Sequence, residues 1–246
     1  DGQRMLKRLI EGRWLTANAV VGFWPAQSVG DDDIALYTDE SRQQVLMSWH
    51  GLRQQHERPE GKPNYCLADF VASKDSGVAD YVGAFAVTGG LGIEGRLAAY
   101  ERTHDDYHSI MLKALADRFA EAAAEWLHAR VRKEFWAYTP AETLSCDELI
   151  KEAYQGIRPA PGYPACPDHT VKGDLFKLLD APARADMHLT ESFAMTPAAA
   201  VSGFYLAHPD SHYFAVSKIG RDQLEDWAGR SGMSVAEAEK WLAPLL

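Results

Sequence analysis

"ADYVGAFAVTGGLGIEG", residues 79–95, decides between two folds. Gly90-Leu91-Gly92-Ile93-Glu94-Gly95 is a literal GxGxxG, lying after an apolar run of strand character and before a helical stretch, where a dinucleotide loop would lie. That fingerprint needs a compact βαβ unit of about thirty residues with an acidic ribose ligand at the second strand. Here the chain beyond the glycines reads as helix as far as residue 138, and the second strand is missing. The glycines are therefore read as a turn leaving a sheet, with nucleotide binding as the rejected reading.

Outward from that turn, Tyr107, Ile110, Met111, Ala114, Leu115, Phe119, Ala122, Trp126 and Val131 recur at helical spacing, with no Pro or Gly among residues 104–138. This predicts one long amphipathic helix. Asp117, Glu121, Glu125 and His128 follow each other along one flank, a pattern that usually marks a solvated stripe. Upstream, an opening helix precedes the strands "NAVVGFWPAQ" (18–27) and "DDIALYTDESRQQVLMSW" (32–49), the second a hairpin turning at Asp39-Glu40-Ser41. Downstream, Ser145 with Glu148 caps a helix expected to run through Tyr154. "MHLTESFAM" (187–195), "AAAVSGFYLAHP" (198–209) and "HYFAVSKIG" (212–220) read as three strands, followed by two short helices, the last capped by Ser234 with Glu237. Hairpin-joined strands with segregated helices predict an α+β fold: a mainly antiparallel twisted sheet with long flanking helices, in a single domain.

Composition narrows the class. The 246 residues are 46% hydrophobic, enough to fill a substantial core, and a net charge of −10 argues against general affinity for nucleic acid or an anionic membrane. Small molecules and proteins are the expected partners. Cys66, Cys146 and Cys166 leave one thiol over from any pairing and form no CxxC, which points to a reducing compartment, read as cytoplasm. No apolar run approaches the length of a membrane span, and the chain does not begin with Met, as after processing or excision from a longer chain.

The segment "RPAPGYPACPDHT" (158–170) carries four prolines and can be neither helix interior nor central strand. A stiff loop of this kind holds Arg158, Tyr163 and its own backbone toward a ligand at little conformational cost; a well-packed crossover is the plainer alternative. Cys166 and His169 could form half a zinc site or a thiol–imidazole pair, but a small packed Cys and a loop His suffice.

Taken in order, "NYCLADFV" (64–71), "GAFAVTGG" (83–90), "HDDY" (104–107), "RPAPGYPACPDHT" (158–170), "LTESFAM" (189–195) and "SHYFAV" (211–216) resemble the activation domain of cobalamin-dependent methionine synthase over nearly the whole chain. The proline loop is the most specific of these. The resemblance implies that the loop cradles S-adenosylmethionine, with Arg158 on the ligand's carboxylate and Tyr163 and Ala165 lining the pocket. Tyr213 and Phe214 would form an aromatic wall for adenine and the sulfonium; the family has two tyrosines there, so Phe214 lacks a hydroxyl. Glu121 aligns with a carboxylate near the sulfonium. The family domain extends upstream and supplies an aspartate for the ligand's amino group, so residues 1–246 are expected to be an activation domain lacking its N-terminal segment, with a weakened site.

The implied activity is repair within methionine biosynthesis: S-adenosylmethionine is presented to inactive cob(II)alamin, and an electron from flavodoxin or a flavoprotein reductase drives its remethylation. Cobalamin would be held by a separate cobalamin-binding domain and contacted, not ligated. Three DxH pairs (Asp106/His108, Asp186/His188, Asp210/His212) lack the glycine of the corrin-ligating DxHxxG, and no nucleophile or metal ligand is expected at the site. The resemblance implies a domain of a methyltransferase, and without a homocysteine zinc-thiolate motif or a folate site the chain is expected not to run the full cycle alone. The rivals are a non-catalytic ligand-binding or protein-docking module and an NAD(P) enzyme built on the GxGxxG.

Overall fold

Val82 to Gly90 are buried without alternation, as a strand covered on both faces must be. In the computed structural model, which describes residues 1–246, this run belongs to the fourth of seven strands. The chain order is α1 (Gly2–Gly12), β1 (Thr16–Val29), β2 (Asp33–Tyr37), β3 (Val45–His50), β4 (Asp80–Leu91), α2 (Glu94–Arg102), α3 (Asp106–Arg130), α4 (Cys146–Ile150), α5 (Val171–Leu179), α6 (Ala181–Ala185), β5 (His188–Leu189), β6 (Met195–Thr196), β7 (Ala200–Tyr205), α7 (Arg221–Arg230) and α8 (Val235–Leu242). Five strands form one antiparallel sheet in the order β3-β2-β1-β4-β7, with β5 and β6 as a separate pair. The α+β reading and the antiparallel sheet stand. Of the helices, only α3 is long, at 25 residues.

Contacts within the chain gather into two compact units, residues 1–21, 85–141 and 175–202 in one and residues 22–84, 142–174 and 203–246 in the other. The strands β1, β4 and β7 each contribute residues to both.

In the first unit Leu112, Ala116 and Ala120 of α3 pack with Met5, Leu9, Ile93 and Ala199. The buried face of α3 is not the stripe the bulky residues predict: Tyr107, Ile110 and Trp126 are exposed, while Ala116, Ala120, Ala124 and Leu127 are buried. The reason is close approach. A Cβ on Gly89 of β4 would stand 2.6 Å from the backbone nitrogen of Ala120, so the helix meets the strand backbone to backbone and selects small residues there. The polar flank is corrected as well, since His128 is fully buried. Past Arg130 the helix widens into a π-turn, Val131–Phe135, and stops.

In the second unit Trp227, Leu224, Leu242 and Val216 centre a cluster that closes over Leu52, and the Trp227 indole N–H donates to the His50 carbonyl at 3.2 Å. Arg53 places its Nε on Asp32 (2.7 Å), both Nη atoms on Asp69 (2.8 Å each), Nη1 on the Asn64 carbonyl (2.7 Å) and Nη2 on the Asp31 carbonyl (2.7 Å). Asp69 also accepts the Cys66 N–H at 2.9 Å, so the "NYCLADFV" stretch is scaffolding. Burial pushes the Cys66 thiol up to about 12, which leaves it inert.

Three further expectations are corrected. Residues 187–195 are not one strand: His188 pairs with Thr196 and Leu189 with Met195 across a tight turn. Residues 212–220 join no ladder, because their backbone bonds go to loops and a side chain. The Val216 N–H donates to the Pro164 carbonyl (2.8 Å), the Ile219 N–H to Leu245 (3.0 Å), and the Ala215 carbonyl accepts from Gln54 (2.8 Å). The Ser145–Glu148 capping box is present, but its helix ends at Ile150, ahead of the positive-φ residues Glu152 and Gly156.

Candidate functional site

The proline loop is held from both sides. At its start Ile157 and Leu206 exchange both backbone hydrogen bonds (2.9 and 3.0 Å), and the Pro159 carbonyl accepts the Phe204 N–H at 3.0 Å, so residues 157–159 run along the end of β7. At its tip the Gly162 N–H donates to Cys166 (2.8 Å) and the Cys166 N–H to Tyr163 (2.9 Å), a small closed turn that leaves Tyr163 65% exposed. Beyond the tip, the Val216 N–H fixes the Pro164 carbonyl. Prolines supply no donors, so the loop's carbonyls and its few N–H groups carry this whole pattern.

Arg158 is half-buried at the start of this loop. Its backbone N–H donates to the Tyr213 hydroxyl at 3.0 Å, its Nη1 donates to the Tyr154 hydroxyl at 3.1 Å, and the two hydroxyls lie 3.4 Å apart. The guanidinium carbon stands 5.7 Å from the Tyr154 ring centroid. A planar cation bonded by one phenol, on a backbone held by another, can read a carboxylate at two points. Tyr154 is the participant that sequence reasoning missed. Its only signal is its place four residues before Arg158, where a helix was expected to continue.

The structure thus brings Arg158, Tyr163 and Tyr213 to one loop system and treats the other expected residues differently. Phe214 turns toward Tyr65 and Phe70, with ring centroids at 5.9 and 6.2 Å, and packs on the C-terminal helical cluster. With Tyr213, Arg58, His56 and His212 it borders a groove of about 460 Å³. Ala165 is 8% exposed and borders a small pocket of about 10 Å³ with Trp49 and Leu67. Glu121 belongs to the other unit, where it pairs with Arg118 at 2.7 Å on the surface of α3.

The Cys166–His169 pairing is not made. Cys166 is buried and burial pushes its thiol well above the ordinary value, while His169 Nδ1 lies 3.1 Å from Lys172 Nζ. Asp168, also buried, accepts the Thr170 N–H and hydroxyl at 2.7 Å each and so starts α5. Among the DxH pairs, His108 Nδ1 bonds Asp105 at 2.7 Å, not Asp106, and His212 Nδ1 lies 3.0 Å from the Asp210 carbonyl.

The chain is thus an antiparallel α+β domain that carries a stiff, arginine-bearing loop along the end of β7. The family model of the vitamin B12 dependent methionine synthase activation domain matches residues 1–232, and the chain belongs to that family. It is also similar to a crystal structure of the MetH reactivation domain bound to AdoHcy, with a TM-score of 0.96 and 59% identity, covering 100% of this chain and 75% of that one. No helix is long and apolar enough to cross a membrane.

Proposed function

We propose that this chain binds S-adenosylmethionine on the proline loop and presents its methyl group for reductive remethylation of inactive cob(II)alamin. The observation that carries the reading is the Tyr154–Arg158–Tyr213 cluster, in which Tyr154 holds the guanidinium and Tyr213 the backbone of Arg158 at the start of a loop pinned by its own hydrogen bonds. Membership of the family and the AdoHcy bound in the MetH reactivation domain support the ligand class.

In this reading Arg158 pairs with the ligand's carboxylate. Tyr163, exposed at the loop tip, covers the ligand and excludes water from the methyl group, and Ala165, buried in the same loop, lines the pocket through its backbone. Tyr213 fixes the loop with its hydroxyl and offers its ring to adenine, with Phe214 extending that wall. Cobalamin, held by a separate cobalamin-binding domain, supplies the metal centre that accepts the methyl group, and flavodoxin or a flavoprotein reductase supplies the electron. The chain's own share is positioning and exclusion of water, with no covalent step on its side chains. The cytoplasm is the proposed compartment.

Calorimetric titration of the chain with S-adenosylmethionine, AdoHcy and, separately, NAD(P) tests this. Saturable heat with the first two and none with the third is expected. Nicotinamide binding alone would return the GxGxxG to consideration.

A further inference from the structure

The tip of the proline loop is closed by a side chain that the ligand reading leaves unused. Gly162 has φ +92°, and a Cβ built on it would stand 2.2 Å from Cε1 and 2.7 Å from Nδ1 of His169. The imidazole therefore occupies the space that a side chain at residue 162 would need, and the tip backbone rests on the ring. The same ring meets Lys172, a buried residue in the first turn of α5, whose Nζ lies 3.1 Å from His169 Nδ1. Burial lowers the Lys172 amine, and while it remains an ammonium it has donors only, so Nδ1 accepts and the single proton of the neutral ring sits on Nε2. A second proton on the ring would abolish the acceptor and bring two cations into contact.

We propose that His169, neutral and turned by Lys172, is a positioning residue that props the Gly162–Tyr163 tip, and that protonating its ring loosens the tip and weakens ligand binding. The ligand half of this rests on the function proposed above; the prop itself does not. The groups facing the ring are Lys172 and Asp168, and Cys166 and Asp168 face the Lys172 amine in turn. Burial holds His169 below the ordinary imidazole value, the Lys172 charge adds to this, and the Asp168 carboxylate opposes it. Burial raises the Asp168 carboxyl as well, against the pull of the Thr170 and Val171 hydrogen bonds. The neutral ring is thus the favoured form above about pH 6.5, the reference value for imidazole, and is lost as pH falls through the lowered folded value.

The test uses the 246-residue chain. Long-range nitrogen–proton NMR of the His169 ring gives its tautomer and titration, the Gly162 and Tyr163 amide shifts report the tip, and calorimetry with AdoHcy is run between about pH 5 and pH 8. Expected are the Nε2–H tautomer, amide shifts that follow the ring's titration, and an AdoHcy affinity that falls about threefold or more across the acid limb. His169→Asn keeps an acceptor but carries no titrating proton, so its affinity should lose that acid step. Lys172→Met should move the step to higher pH. An Nδ1–H tautomer, tip amides indifferent to the ring, or the same acid step in His169→Asn would overturn the proposal. If no AdoHcy binds at any pH, the ligand reading fails, and the ring and amide titrations still decide whether His169 props the tip.

Discussion

The Tyr213 hydroxyl accepts the backbone N–H of Arg158 at 3.0 Å, tying residues fifty-five positions apart in sequence. The bond makes the direction of Arg158 a property of the extended segment that carries Tyr213, not of the loop alone. Tyr213→Phe leaves that half-buried N–H without its acceptor and should lower stability by about 1 to 3 kcal/mol. Urea unfolding measures this. Affinity for S-adenosylmethionine should fall about threefold to tenfold with the loop less well ordered, and an unchanged affinity would detach the phenol from the site.

Two glycines should respond in opposite directions to alanine. Gly89 has the backbone of Ala120 and Phe119 within 2.6 and 3.0 Å of a new Cβ, so Gly89→Ala forces α3 off β4 and should destabilise by about 1 to 3 kcal/mol. Gly229, near the end of α7, has nothing within 4 Å of a new Cβ, and Gly229→Ala should stabilise by up to about 1 kcal/mol through helix propensity. Urea midpoints moving in the same direction would contradict the packing account.

The acid limb of the stability curve should carry the signature of Asp33. Its carboxylate meets His50 Nδ1 at 3.0 Å and Arg230 Nη1. Burial raises this carboxyl, but the His50 hydrogen bond and charge and the Arg230 guanidinium outweigh burial and hold it below the usual carboxylate range. A depressed carboxyl stabilises the fold above its unfolded value, near 3.8, and that stabilisation is lost as pH falls through the folded value. Asp33→Asn should cost about 1 to 2 kcal/mol near pH 7, allowing for the pair's partial exposure, and should flatten the limb below about pH 4. Unfolding free energies measured from pH 7 down to about pH 3 test the sign.

The sheet, the hairpin at residues 39–41, the long helix, the Ser145–Glu148 capping box and the Ser234 cap were legible because each depends on local periodicity or turn chemistry. The rejection of the GxGxxG as a nucleotide loop rested on a missing strand, and β4 indeed leads through Gly92, at φ +95°, into helices α2 and α3. The buried face of α3 was misread because bulk was taken as the signal, whereas Gly89 selects alanines. Residues 212–220 have strand composition yet serve as a partner for the proline loop, a role that only tertiary contacts reveal. At the site, Arg158 and the rigid loop could be read from proline spacing, and the family resemblance supplied the ligand. Tyr154, Lys172 and the His169–Gly162 contact carry no motif and emerge only from distances.

The most direct test of the central claim is a double-mutant cycle between Arg158 and the ligand's carboxylate. Hydrogen bonds to charged groups contribute roughly 1.5 to 3 kcal/mol, so Arg158→Ala should weaken S-adenosylmethionine about ten- to a hundredfold, with Arg158→Lys between it and the wild type. The second side of the cycle is the analogue without a carboxylate, titrated calorimetrically against wild type and Arg158→Ala. The account predicts that this analogue binds both proteins with nearly equal affinity. An analogue that loses as much on Arg158→Ala as the natural ligand does would contradict it.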